Sequence, residues 1–158
     1  MAAMLDPRML YSILEHTYSA DPVTRKAAEH EIEATSKARP GALLLPLLQI
    51  VAAGDASRHV KQAGSITLKN LIKAKWDPRL PANSAAAAQS DPASVFSPTE
   101  KEQARVQLLE VLMREEDSSL KKLLVESVKE IATADYPDKW PAFLPTLVGN
   151  MQTGIVLK

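Results

Sequence analysis

The sequence predicts an all-α fold of stacked helix pairs, and three observations carry that prediction. Only 4% of the 158 residues are aromatic, so the core of a chain that is 46% hydrophobic must come from Leu, Ile, Val and Ala, which suit helix packing better than a sheet sandwich. Apolar residues recur at intervals of three and four, and no stretch alternates with the period of a strand. Proline repeatedly follows a polar residue at the start of a periodic segment, and very short turns separate the segments.

The elements follow in order. Asp6-Pro7 opens the first helix, because Pro gives up no needed N–H there and Asp can accept from the free amides of the first turn. Leu10, Ile13 and Leu14 form its apolar stripe. After a short turn Asp21-Pro22 opens a second helix, with Val23, Ala27, Ala28 and Ile32 on one side. Arg39-Pro40 opens a third, and residues 43–51 are so nearly all apolar that this helix should be buried on most sides. Pro46 either kinks it or marks its first turn. The fourth spans 57–76 with a stripe of Val60, Ala63, Gly64, Thr67, Leu71 and Ala74. Ser97-Pro98-Thr99-Glu100 is a capping box, in which Ser and Glu satisfy each other's backbone amides. It opens a helix carrying Leu108, Leu109, Val111 and Leu112, and a Glu115-Glu116-Asp117 turn leads to one carrying Leu120, Leu123, Leu124, Val128 and Ile131. Trp140-Pro141 opens the last, with Leu144, Leu147 and Val148. Residues 1–158 read as one region with a surface insertion at 77–97, where Pro78, Pro81, Pro92 and a run of four Ala at 85–88 predict a mobile loop.

The first helices of successive pairs start near Pro7, Pro40, Pro98 and Pro141, about 33, 58 and 43 residues apart. Without the insertion the middle spacing shrinks to about 38, near the period of HEAT and armadillo repeats. The last helix is followed by seven residues that supply no partner helix, so the chain is expected to be the N-terminal piece of a longer array.

Composition closes several classes of chemistry. Nineteen basic and 19 acidic side chains cancel, and a pI near 6.8 argues against nucleic-acid binding by bulk charge. There is no Cys, hence no disulfide framework, thiolate metal site or thiol nucleophile. No apolar run approaches the roughly 18 residues of a membrane span, and the N-terminus carries charge too early for a secretory signal, so a soluble intracellular protein without a membrane partner is expected. The glycines are scattered and form no phosphate loop. His16, His30 and His59 lie on three different helices without ligand spacing, so neither metal nor cofactor is expected. Asp135 and Asp138 flank Pro137 and read as cap and turn residues. No serine stands in a nucleophile elbow, and the chain is expected to bind rather than catalyse.

One helix stands out. The 57–76 segment carries Arg58, Lys61, Lys69, Lys73 and Lys75 and no acidic residue. At 100° per residue, Arg58, Lys61, Gln62, Lys69 and Lys73 share a face opposite Val60, Thr67 and Leu71. Such a face is either plainly solvated or a docking surface for an acidic partner, with Asn70 at its flank.

Three segments in this order resemble the N-terminal region of the importin-β (karyopherin) superfamily: Asp21-Pro22-Val23-Thr24-Arg25-Lys26-Ala27-Ala28-Glu29; Val60-Lys61-Gln62-Ala63-Gly64-Ser65-Ile66-Thr67-Leu68-Lys69-Asn70-Leu71-Ile72 ending at Trp76; and Asp135-Tyr136-Pro137-Asp138-Lys139-Trp140-Pro141. The resemblance implies a right-handed superhelical solenoid of HEAT-like helix pairs, several times longer than this chain, whose first repeats bind the small GTPase Ran in its GTP form. It implies protein cargo and nucleoporins as partners of the full-length receptor, shuttling between cytoplasm and nucleus, and transport that we read as import, in a branch that also holds an exportin-like relative. The second helices of each pair, at 22–37, 57–76 and 118–134, would face the GTPase. Lys61, Gln62, Lys69 and Lys73, with Asn70 flanking, are the implied contacts, and Lys61, Lys69 and Lys73 should project from one concave face. Leu68, Leu71 and Ile72 would be core, Trp76 and Trp140 would wedge between repeats with their N–H groups bonded, Tyr136 and Pro137 would fix a turn, and Arg25 and Glu29 would pair along one helix. The Ala-rich insertion departs from the family pattern. The alternative is a helical-repeat scaffold that binds an acidic peptide regardless of nucleotide state.

Overall fold

A computed structural model describes the backbone of residues 4–152 and the side chains of residues 4–149. The expectation that nothing after the last helix supplies a partner, and the reading of the first three residues, lie outside the described residues. Eight α-helices are present among them: α1 (Pro7–His16), α2 (Pro22–Ala38), α3 (Gly41–Ala52), α4 (Arg58–Lys75), α5 (Ala85–Ser90), α6 (Pro98–Arg114), α7 (Ser118–Asp135) and α8 (Phe143–Gln152).

The start signals act as their chemistry requires. Asp6 Oδ1 accepts from Arg8 N at 2.9 Å, and Asp21 accepts from Val23 N at 3.2 Å and Thr24 Oγ1 at 2.7 Å. The capping box of α6 is complete, with Glu100 N donating to Ser97 Oγ at 3.1 Å and Ser97 N to Glu100 Oε1 at 2.8 Å. Two starts differ from expectation. Pro40 has helical dihedrals but stands outside α3 as its cap residue, with no side-chain cap. Pro141 lies in a turn, and α8 begins two residues later at Phe143, whose N donates to Trp140 O at 3.2 Å.

Pro46 neither starts nor ends α3; it lies inside it. The carbonyl it cannot pair with is that of Ala42, four residues back, and Leu5 N donates to that oxygen at 2.9 Å. The segment before α1 thus satisfies the acceptor that Pro46 leaves open, which removes most of the usual penalty for an internal proline.

α1, α3 and α6 form one layer and α2, α4 and α7 the other, each second helix folded back on its first. α3 is central, packed against α1, α4 and α6, and every residue from Gly41 to Val51 except Gln49 is buried. Gly41 packs against the buried carboxylate of Glu100, and a Cβ there would force that carboxylate out of its place in the capping box. α2 is the opposite case, with Ala28 its one buried residue and Val23 fully in solvent.

The 77–97 insertion contains regular structure that its composition did not lead us to expect. It folds into two 3₁₀ turns, Pro81–Asn83 and Pro92–Ser94, around α5. Asn83 is buried and its Nδ2 donates to Ala74 O at 2.9 Å and Asp77 O at 3.1 Å, while Phe96 is buried against Trp76 with ring centroids 5.8 Å apart. One anchor at each end of the segment is enough to fold it onto α4.

Candidate partner-binding face

α4 lies between α3 and α7 and is covered on two flanks, so its buried side is wider and turned relative to the single stripe of the sequence. Val60, Gly64, Leu68, Leu71 and Ile72 are buried as expected and Ser65 is buried with them, while Ala63 and Thr67 are half-buried and Ala74 is exposed.

The turn brings Lys61 inward. Its Nζ lies 3.3 Å from Glu115 Oε1, with the two side chains 19% and 9% exposed, so it does not project from the outer face with Lys69 and Lys73. Glu115 is itself committed, its Oε2 accepting from Glu116 N at 3.1 Å and Asp117 N at 3.4 Å in the turn into α7. Arg58 is also engaged. Its Nε donates to Asp117 Oδ2 at 2.7 Å and its Nη1 to Gln62 Oε1 at 3.1 Å, which ties down Gln62 as well. Lys75 Nζ donates to Ser94 O at 3.3 Å and Lys37 O at 3.5 Å. Among the described residues Lys69, Asn70 and Lys73 therefore stand alone, making neither a hydrogen bond nor an ion pair; Lys69 is half-buried and the other two are exposed. Asn70 sits on the lip of a groove of about 320 Å³ between α2 and α4, whose floor includes Ile32 and Leu71.

At the other end of α4, Trp76 is buried and its Nε1 donates to Asp135 Oδ2 at 2.9 Å. Arg105 Nε donates to the same oxygen at 2.9 Å. Lys101 Nζ donates to Trp76 O at 2.8 Å and, like Arg105, lies over the indole face, 5.3 Å and 5.6 Å from the ring centre. Burial pushes the Lys101 ammonium below its ordinary pKa, against the opposing pull of Asp135. Asp135, read from sequence as a cap or turn residue, is thus a buried acceptor shared by Trp76 and Arg105. Arg105 and Lys101 were not singled out by any sequence signal, and Glu115 and Asp117 were read only as turn residues, since the partners that tie them to α4 lie far away in sequence.

The remaining motif residues are placed as follows. Tyr136 and Pro137 form the turn after α7 through a cis peptide bond, with the Tyr136 ring edge-on to Phe143 at 5.8 Å. Trp140 is buried against Phe143 with ring centroids 4.6 Å apart, and among the described residues its N–H makes no hydrogen bond, where one was expected. Arg25 does not pair with Glu29. Its Nη1 reaches back to Ser19 O at 3.3 Å and closes the turn between α1 and α2, leaving Glu29 exposed at the groove.

Asp117 supplies a pH test. Its carboxylate lies below the ordinary value of 3.8, first because Arg58 donates to it and then because the amides of Leu120 and Ser119 do. A group depressed on folding stabilises the folded state above its unfolded value, and that stability is lost as pH falls from 3.8 through the lower folded value. Asp117→Asn is expected to flatten the acid limb of a stability curve in that window and leave its slope above pH about 5 unchanged. Denaturant midpoints at a series of pH values check this; an acid limb as steep as in the parent chain would remove Asp117 as its source.

Comparison with known proteins adds an independent line. The family model described as the importin-beta N-terminal domain matches residues 28–114, which contain all of α3, α4, α5 and α6 and most of α2. An importin beta-like SAD2 homolog of Arabidopsis thaliana is 30% identical over 135 residues, 85% of this chain and 12% of that protein. Exportin-2 of Drosophila melanogaster is 29% identical over 147 residues, 93% of this chain and 14% of that protein. The exportin Cse1 in its cargo-free, cytoplasmic state superposes with a TM-score of 0.74 at 21% identity, over 92% of this chain and 14% of that one. The structure in which Kap95p binding induces the switch loops of RanGDP to adopt the GTP-bound conformation gives 0.72 at 20% identity, over 92% of this chain and 17% of that one. Both are HEAT-repeat solenoids, the architecture seen here. The chain spans 12–14% of the length of these sequence relatives.

Proposed function

Since the chain belongs to the importin-β N-terminal domain family, we propose that it is the Ran-GTP-binding, N-terminal part of a nuclear transport receptor that carries protein cargo through the nuclear pore and shuttles between cytoplasm and nucleus. The observation that carries the reading is that the family match includes the whole of α4, the helix whose outer side leaves Lys69 and Lys73 without a charged partner among the described residues. Binding is its mechanism, not catalysis. A negatively charged rim on the GTPase would meet this side, and the committed ion pairs of Arg58 and Lys61 would hold α4 in place rather than touch the partner. Cargo and nucleoporins would be bound by the full-length receptor.

We read the transport as import. The relatives include an importin beta-like protein and exportin-2, and the two directions differ in how Ran-GTP couples to cargo. In an importin the GTPase releases cargo, and in an exportin it binds together with cargo.

The test is the affinity of this chain for Ran loaded with a non-hydrolysable GTP analogue against Ran-GDP. The expected result is at least about a tenfold preference for the GTP form, a coupling of roughly 1.4 kcal/mol. Equal affinity for both forms, in this chain and in one extended through further repeats, would overturn the reading and leave the scaffold for an acidic peptide.

A further inference from the structure

We infer that α4 and α7 move as one rigid plate, and that this part of the solenoid bends at the joint between α2 and α4.

The two helices are the same length, 18 residues each, or about 27 Å. They are pinned at both ends by the two aspartates that bound α7. At one end Asp117, the N-cap of α7, receives Arg58, the first residue of α4. At the other, Asp135, the last residue of α7, receives the indole of Trp76, the C-cap of α4. Both pairs are separated by 59 positions in sequence, so the helices run parallel without slipping in register along their whole length. The far end is buried, and Arg105 from α6 closes on the same Asp135 oxygen, which locks the first helix of that pair to the plate as well.

The joint between α2 and α4 lacks every one of these features. α2 buries only Ala28. An open groove of about 320 Å³ separates its outer half from α4. One long hydrogen bond crosses between them, Lys75 Nζ to Lys37 O at 3.5 Å, and it is shared with Ser94 O of the insertion. Opening or closing the groove therefore breaks little, whereas sliding α4 on α7 would break the buried Trp76–Asp135 hydrogen bond at one end and the Arg58–Asp117 ion pair at the other.

The chain contains no cysteine, so pairs of spin labels can be placed without background. Exposed positions supply both pairs: Ile66→Cys with Glu126→Cys reports on α4 against α7, and Ile66→Cys with Ala34→Cys reports on α2 against α4. Pulsed dipolar spectroscopy of the 158-residue chain should give a narrow distance distribution for the first pair and one at least about twice as wide for the second. Trp76→Phe, which removes the indole N–H while keeping a ring, should broaden only the first; Arg58→Met, which removes the tie to Asp117 at the other end, serves the same purpose should that variant fail to fold. Two distributions of equal width, or a wider one between α4 and α7, would overturn the inference from the unsubstituted clamp alone.

Discussion

Asp135→Ala is expected to lower the stability of the chain by about 3–5 kcal/mol, the usual cost of removing one partner from a buried ion pair. The carboxylate is 1% exposed, and its Oδ2 alone receives both the Trp76 indole and the Arg105 guanidinium, at 2.9 Å each. With Ala in its place the Arg105 charge, 14% exposed, would have no counter-charge, and a buried N–H would lose its acceptor. Asp135→Asn keeps an acceptor oxygen but not the charge, and should cost roughly 1–3 kcal/mol. For a chain of this size each kcal/mol moves the melting temperature by about 2–4 °C, so Asp135→Ala should melt about 10 °C below the parent. Thermal and denaturant unfolding measure both. If Asp135→Ala and Asp135→Asn each lay within about 0.5 kcal/mol of the parent, the cluster would not be the tie that its geometry describes.

The second large effect is on binding. Lys69→Glu with Lys73→Glu is expected to weaken binding to Ran carrying a GTP analogue by about tenfold to a hundredfold, with stability unchanged within about 0.5 kcal/mol. Neither lysine has a protein partner among the described residues, so reversing them breaks no contact within the fold. Lys61→Glu should behave the other way. It would set a second carboxylate against that of Glu115, which is 9% exposed, and its main effect should be a loss of stability, with weaker binding only as a consequence. Binding isotherms paired with melting curves separate the two. Loss of binding in Lys61→Glu at unchanged stability, with none in the Lys69 and Lys73 pair, would move the contact face to the flank of α4 beside α7.

These two results part along the line that divides local from non-local information. Residues 43–51 read as a helix buried on nearly all sides because a run with no polar face has nowhere else to go, and α3 is central. Ser97 and Glu100 read as a capping box because both partners lie within one turn, and the box is intact. The basic face of α4 was legible as a list of residues but not as a surface. A helical projection assumes one buried flank. α4 has two, and the second, against α7, takes Lys61 and ties down Arg58 and Gln62.

The same limit explains the other differences. Arg25 and Glu29 are four apart, the spacing of a helical pair, yet an unpaired carbonyl at Ser19 draws Arg25 away. Asp135 stands where a turn residue would, and nothing nearby in sequence marks it as the acceptor for groups 30 and 59 positions away. Pro46 was ambiguous because the group that rescues its lost hydrogen bond, Leu5 N, belongs to the segment before α1.

The sequence by itself thus determined the long helices, their pairing, most of their caps and the family, since each depends on residues within a turn or two or on a motif read along the chain. Only the tertiary structure decided which lysines remain available, what the Trp76 indole bonds to and where α4 is tied to its neighbours. Those properties depend on how many neighbours a helix has and which side chains they bring, and that is fixed by packing across tens of residues rather than by the periodicity of any one segment.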